Sequence, residues 1–274
     1  MRYGLDVSPA GSWGEPGRIA ELAAFAERCG WDGVFCEDYF AYSGGLPTYD
    51  PWITLGLIAQ ATERITLGTM VTPIPRRLPG SVAAQAMTVD RLSGGRFVLG
   101  VGIGDDQGTD GRFSELADPR RRAGQLDEAL DVITALWSGE PVSRQGRYFT
   151  LNGAVLRPVP VQRPRIPIWV GGAITRRGPR ARALRWDGAC LYQADPDQDW
   201  ADVTVEEARR LRADGGAGFV IAVGGRQRRA DLGAERRYAA SLADAGVDWL
   251  HEYVAPGLSL GEARARIAAG PIGA

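Results

Sequence analysis

Residues 63–104, ERITLGTMVTPIPRRLPGSVAAQAMTVDRLSGGRFVLGVGIG, decide the fold. Ile65 to Val71 and Phe97 to Ile103 are apolar runs without polar alternation. That pattern marks strands covered on both faces, as in a parallel sheet under helices. Between them Val82, Ala86 and Val89 recur at helical spacing. Ser81 is the expected N-cap, and Leu92-Ser93-Gly94-Gly95 the stop. The segment is therefore one strand–helix–strand unit. Glycines and prolines crowd both strand exits (Gly68, Pro73, Pro75; Gly100, Gly102, Gly104), where a backbone can approach a flat ligand.

Outward from this unit the pattern repeats. Strands are predicted at Tyr3–Val7, Asp32–Glu37, Ile168–Gly171, Gly188–Tyr192, Phe219–Val223 and Val247–Tyr253, with helical stripes between most of them. Gly146 to Leu156 reads as a small hairpin. Gly104 to Pro119 reads as a polar, glycine-rich loop. Eight β-then-α steps predict an α/β fold, a (β/α)8 TIM barrel filling residues 1–274 as one domain, with an open doubly wound sheet as the alternative. In a barrel the chemistry gathers at the C-terminal strand ends. Here those ends are Val7-Ser8, Glu37-Asp38-Tyr39, Met70-Val71-Thr72, Gly102-Ile103-Gly104, Gly171-Gly172-Ala173, Tyr192-Gln193, Gly224-Gly225 and Glu252-Tyr253.

Composition narrows the chemistry. The net charge of −1 gives no long-range pull toward nucleic acid or an anionic membrane. All 32 basic residues are arginine, so a lysine Schiff base is excluded. One histidine, His251, and three scattered cysteines offer no metal-ligand spacing and no Ser–His–Asp hydrolase at a strand end. A glycosidase needs only two carboxylates, for which Glu37 and Glu252 would serve. Asp105 and Asp106 read as solvent-facing. MRYGLDVSPAG enters a strand without a signal-peptide pattern, no run reaches membrane-spanning length, and the cysteines read as buried thiols; a cytoplasmic protein is expected.

ATERITLGT and DRLSGGRFVLGVG resemble the luciferase-like monooxygenase family of flavin-dependent and F420-dependent oxidoreductases. DEALDVITALWSGEPVSRQGRYF, RPVPVQRPRIPIWVGG and RALRWDGACL extend the resemblance over nearly the whole chain. It implies a barrel that binds FMN or F420 and acts on a small organic substrate. The first reading is a monooxygenase using reduced flavin from a separate reductase and O2. The alternatives are F420-dependent hydride transfer without O2 and a flavin-binding barrel without turnover; a barrel hydrolase is a weaker one. Dimerisation is a family expectation.

The resemblance also implies site residues. A non-proline cis peptide is expected at Met70–Val71, after Thr69, under the central ring. Asp38 would accept from the ring's pyrimidine N–H groups. Tyr39 stands where relatives carry histidine; a phenol donates well but is a poor base near neutrality. Gly171, Gly172, Ala173, Ile174, Arg176 and Arg177 would hold the cofactor phosphate at a helix start. Gly102 and Gly104 would approach the ring. Arg76 and Arg77 would hold the substrate or the acidic tail of F420. Trp13, Tyr42 and Glu252 would line the mouth, with Tyr49 and Trp52 beside them.

Overall fold

A computed structural model describes residues 1–104, 118–192 and 201–273. Its strands are β1 (Arg2–Val7), β2 (Gly33–Cys36), β3 (Thr66–Thr69), β4 (Thr72–Pro73), β5 (Phe97–Gly102), β6 (Val142–Gln145), β7 (Thr150–Ala154), β8 (Ile168–Ala173), β9 (Gly188–Tyr192), β10 (Val220–Arg226) and β11 (Trp249–Val254). Parallel pairing runs β3-β2-β1-β11-β10-β9-β8-β5, and β3 pairs back onto β5. That last pairing closes an eight-stranded barrel and excludes the open sheet.

The helices are α1 (Pro16–Arg28), α2 (Pro51–Ala61), α3 (Pro79–Leu92), α4 (Pro119–Leu136), α5 (Arg177–Ala183), α6 (Val205–Gly215), α7 (Leu232–Asp244) and α8 (Leu260–Ala268). None of the described helices is long and apolar enough to cross a membrane. Four of them begin on proline, which suits the first helical position because its missing N–H has no partner there. This moves one expected boundary: α3 starts at Pro79 with Leu78 at its cap, and Ser81 lies inside. The hairpin also shifts. Its strands are Val142–Gln145 and Thr150–Ala154, so Gly146 belongs to the turn. Helix α8 carries a Ser259/Glu262 capping box that follows the last predicted strand.

Strand alternation sorts side chains to two cores. Leu5, Val7, Val34, Leu67, Leu99, Val170, Leu250 and Val254 face the helices. Phe35, Val98, Trp169, Ala222 and Trp249 fill the barrel axis. His251 joins this inner set, stacked on Phe35 with ring centroids 4.5 Å apart. Glycine on neighbouring strands makes the space. A Cβ at Gly4 would stand 2.8 Å from His251 Cδ2, and one at Gly68 would stand 2.9 Å from Phe35 Cδ1.

At the N-terminal strand ends, aspartates tie neighbouring strands together. Asp32 accepts from the Tyr3 N–H at 2.8 Å, Asp187 from Ile168 N–H at 2.8 Å, and Asp248 from Ile221 N–H at 2.8 Å. Arg96 closes the same end. Its guanidinium donates to the carbonyls of Ala59, Thr62, Ile65 and Ser93, at 2.7–3.0 Å. These bonds satisfy strand and helix ends that would otherwise be left unpaired.

Candidate active site at the barrel mouth

The third strand is interrupted. β3 ends at Thr69, the Met70–Val71 peptide is cis, and β4 resumes pairing with β5 at Thr72. This is the position expected for the cis bond. Thr69 Oγ1 donates to the Gly100 carbonyl at 2.7 Å, so its side chain clips β3 to β5. Met70 N–H donates to the Cys36 carbonyl at 2.8 Å, and its side chain packs on the inner core. Val71 spans toward two other strand ends: a Cβ at Gly102 would sit 2.7 Å from Val71 Cγ2, and one at Gly171 2.7 Å from Val71 Cγ1. Three sequence-predicted positions thus converge. Only glycine on β5 and β8 leaves Val71 this place.

Asp38 is buried and already has donors. Arg77 meets it with Nε at 2.8 Å and Nη2 at 2.7 Å. Arg76 Nη2 reaches both its carboxylate, at 2.5 Å, and its carbonyl, at 2.6 Å. Trp52 Nε1 and Thr72 Oγ1 add bonds at 3.2 and 3.0 Å. The expected ring acceptor is therefore the anchor that ties the end of β2 to the segment after β4. The two arginines expected to meet the substrate are its partners. A cavity of about 500 Å³ opens beside them, lined by Asp38, Tyr39, Phe40, Tyr49, Arg76 and Arg77. Tyr39 stands edge-on to Tyr42 there, with centroids 5.4 Å apart.

Two of the expected mouth residues lie elsewhere. Trp13 is fully enclosed in the outer core. Glu252 alternates with Leu250 and Val254 and so faces the helices, where Arg228 binds it at 2.6 and 2.9 Å. Burial raises its carboxyl above the usual range, although Arg228 opposes the shift. Glu37 and Glu252 consequently point to opposite sides of the barrel wall. They cannot flank one glycosidic bond, and the glycosidase reading falls.

Glu37, a glycosidase candidate in the sequence, is the carboxyl that faces the mouth. It follows Phe35 at strand spacing and shares its inward direction. Ser8 Oγ donates to Glu37 Oε2, and the Tyr253 hydroxyl donates to the same oxygen at 3.3 Å. Tyr253 lies 3.1 Å from Ser8 Oγ and 2.5 Å from the Tyr42 hydroxyl. Burial pushes the Glu37 carboxyl up to about 7, with nearby Asp6 adding to the rise and the Ser8 and Tyr253 bonds opposing it. Burial also raises Tyr42 and Tyr253, so both stay phenols at neutral pH. Inward parity at Phe35 and His251 was the signal that would have selected Glu37 and Tyr253 from the sequence.

On the opposite side of the mouth, β8 runs into Gly171-Gly172-Ala173-Ile174 and then α5. Gly172 has φ 149°, and a Cβ there would lie 2.6 Å from Pro179 Cβ. Ala173 and Ile174 are buried, with Ile174 N–H donating to the Tyr192 carbonyl at 2.7 Å. Arg176 and Arg177 are exposed at the start of α5. Gly104 ends the described part of the loop after β5, with φ 78°. Asp105, Asp106 and Gln193 lie outside the described residues, as does most of the loop predicted over 104–119. Among the described residues no cluster of His, Cys, Asp or Glu has the form of a metal site.

The sequence model of the luciferase-like monooxygenases matches residues 4–252. The chain belongs to that family. This luciferase-like chain is 34% identical over 189 residues to the F420-dependent glucose-6-phosphate dehydrogenase of Nakamurella multipartita, covering 67% of this chain and 53% of that one. It is 36% identical over 189 residues to the 4-hydroxyprotoasukamycin monooxygenase of Streptomyces nodosus subsp. asukaensis, covering 66% and 49%. It thus spans about half the length of these curated relatives. The luciferase-like fold recurs in a monooxygenase from Streptomyces bottropensis, with TM-score 0.74 and 19% identity, covering 97% of this chain and 96% of that one. An F420-dependent secondary alcohol dehydrogenase solved with an F420-acetone adduct gives TM-score 0.68 at 23% identity, covering 99% and 82%.

Proposed function

We propose that this chain is an oxidoreductase that binds FMN or F420 across the C-terminal face of its barrel and acts on a small organic substrate. The observation that carries the reading is the interrupted third strand, with Val71 seated between Gly102 and Gly171. A flat ring needs a floor that other side chains do not invade, and glycine at both neighbouring strand ends keeps that floor open. The residues present fit such a cofactor. The Gly171–Ile174 turn and the exposed Arg176 and Arg177 would hold its phosphate, by charge-assisted bonds that need no change in the barrel. Gly104 would lie at the ring's margin.

When bound, the cofactor supplies hydride transfer or, as reduced FMN, the activation of O2. The protein's part is position, shielding from water and proton handling. Arg76 and Arg77 hold the loop that carries Tyr39 by fixing Asp38 beneath it. Tyr39 lines the cavity, and its hydroxyl is the candidate donor to the substrate; Tyr42 packs edge-on against it. In the FMN case a separate reductase supplies reduced flavin and the chain is a monooxygenase. The F420 reading, with no O2, draws support from the 34% identity to F420-dependent dehydrogenases. A homodimer in the cytoplasm accords with either.

Parallel calorimetric and fluorescence titrations of the protein with FMN and with F420 test the proposal. Micromolar binding of F420 alone directs the substrate search to anaerobic hydride transfer. Preference for FMN makes oxygen uptake the assay. Binding of neither overturns the redox function.

A further inference from the structure

The mouth holds one carboxyl that the flavin-site reasoning leaves without a task. Glu37 lies deep in the fold yet keeps accessible surface, so it lines the opening of the barrel axis. Its polar neighbours come from two adjacent strand ends and one loop: Ser8 after β1, Tyr253 on β11 and Tyr42 after β2. They form a continuous hydrogen-bonded chain from the carboxylate outward to Tyr42, whose ring meets Tyr39 at the cavity. No arginine pairs with Glu37 among the described residues, although Asp38 next to it has two. The sequence separates two carboxylates by one position, and the fold gives one to ion pairing and the other to hydroxyls.

We propose that Glu37 is the proton-holding residue of this site, exchanging a proton with the bound substrate through the hydroxyls of Tyr253 and Tyr42. The proposal rests on the redox reading above. In the oxidative direction a substrate X–H group loses its proton to Tyr42, Tyr42 passes its own to Tyr253, and Tyr253 passes its own to the Glu37 carboxylate. The accompanying hydride would be taken up by the oxidised FMN or F420 that the site would hold, which supplies the acceptor. The reverse direction returns both, so charge and atoms balance. Glu37 acts through the tyrosines and is a positioning and proton-storing group; Tyr42 is the member whose ring packs on Tyr39 of the cavity wall.

The chemistry of the chain supports this division. Neither phenol ionises near neutrality, because burial holds both above their ordinary range. Hydroxyls of that kind relay protons without storing charge. Glu37 changes charge near pH 7. The groups on its side of the barrel wall are Asp6 and Ser8 from the β1 side, His251 and Tyr253 on β11, and Tyr42, while Cys36, next to it on β2, points to the outer core. Asp6 is itself held by His251 Nδ1 at 2.8 Å. Cys36 is pushed up by burial and by its carboxylate neighbours, so it stays a thiol. A hydroxyl network therefore surrounds a carboxyl that can hold or release a proton without a counter-cation.

Infrared titration of the cofactor-free protein tests the storage role. The expected result is a protonated-carboxyl band that disappears with a midpoint near 7 in wild type and is missing from Glu37→Gln. Tyr253→Phe should move that midpoint upward, since it removes a donor to the carboxylate, and Tyr42→Phe should move it the same way by less. A midpoint below about 5.5, or a wild-type band unchanged in Glu37→Gln, overturns the proposal. Calorimetry in buffers of different ionisation enthalpy, with FMN and with F420 as probes, tests its place in the site. A ring that covers the mouth removes the last accessible surface of Glu37, so wild type should take up a fraction of a proton on binding at pH 7 and Glu37→Gln should not. Binding with equal proton uptake in both proteins overturns the assignment. Binding of neither probe to wild type overturns the redox reading instead, and the infrared midpoint alone then decides whether Glu37 stores a proton.

Discussion

Arg77 grips Asp38 in a two-point contact, Nε to Oδ2 at 2.8 Å and Nη2 to Oδ1 at 2.7 Å, with Arg76 on the same carboxylate. The Asp38 side chain is 1% exposed and those of Arg76 and Arg77 are 11% and 19% exposed. Removing the shared carboxylate takes the close counter-charge from two largely buried cations and leaves Arg77 the more distant Asp50, at 3.9 Å. Asp38→Ala should therefore cost about 3–5 kcal/mol in urea denaturation. Arg77→Ala should cost less, because Arg76 still neutralises Asp38. Equal losses would show that the two arginines do not share one anchor.

Glu37 makes stability depend on pH in a defined window. Its folded value of about 7 lies above the ordinary 4.5, so the folded chain binds more protons than the unfolded chain between those values. Stability falls as pH rises through that window, by up to about 3 kcal/mol. Glu37→Gln should abolish this slope. The difference in unfolding free energy between wild type and variant, followed from pH 4.5 to 8, isolates Glu37 from Glu252, whose raised carboxyl is common to both proteins. A flat difference would contradict the shift.

The exposed arginines of α5 separate binding from stability. Arg177→Ala should weaken cofactor binding by about 1–3 kcal/mol while leaving the unfolding midpoint nearly unchanged. Arg176→Ala, measured by the same titrations, shows which guanidinium carries the contact. Unchanged affinity in both removes the phosphate role from this turn.

Gly171→Ala probes the floor of the mouth. The new methyl would lie 2.7 Å from Val71 Cγ1 and would force that side chain to move. A stability loss of about 1–3 kcal/mol is expected, together with weaker binding of FMN or F420. Wild-type affinity in a folded variant would show that the ring does not rest on Val71.

Tyr39→Phe removes one hydroxyl at the cavity. Turnover should fall on the order of 10²-fold, with cofactor affinity retained, if that hydroxyl donates to the reacting group. Wild-type turnover would reduce Tyr39 to packing against Tyr42.

The barrel was legible because its signals are local. Unalternating apolar runs such as Phe97–Ile103 carry two-sided burial in their composition, and each ends near the observed strand end. The place of the Met70–Val71 bond was legible from its position directly after ATERITLGT, the phrase that carries the family resemblance. Partners were not. Asp38 reads as a free carboxylate beside Tyr39, and nothing local says that Arg76 and Arg77, 38 and 39 positions away, return to it. The error at Glu252 has a different cause. A strand end names two residues, and only the parity of the strand decides which faces the axis. His251 and Tyr253 face inward, so Glu252 cannot.

The three aspartates and Arg96 at the closed end have a consequence for how this chain can change over generations. Asp32, Asp187 and Asp248 secure strand to strand through backbone N–H groups, and Arg96 gathers carbonyls from a helix end, two loops and a strand start. None of these bonds involves the mouth. New side chains at Tyr39, Tyr42 or the loop after β8 can alter what the barrel accepts without loosening its closure. The cost of exploring other substrates is thus confined to one end of the molecule, and the opposite end acts as its inherited frame.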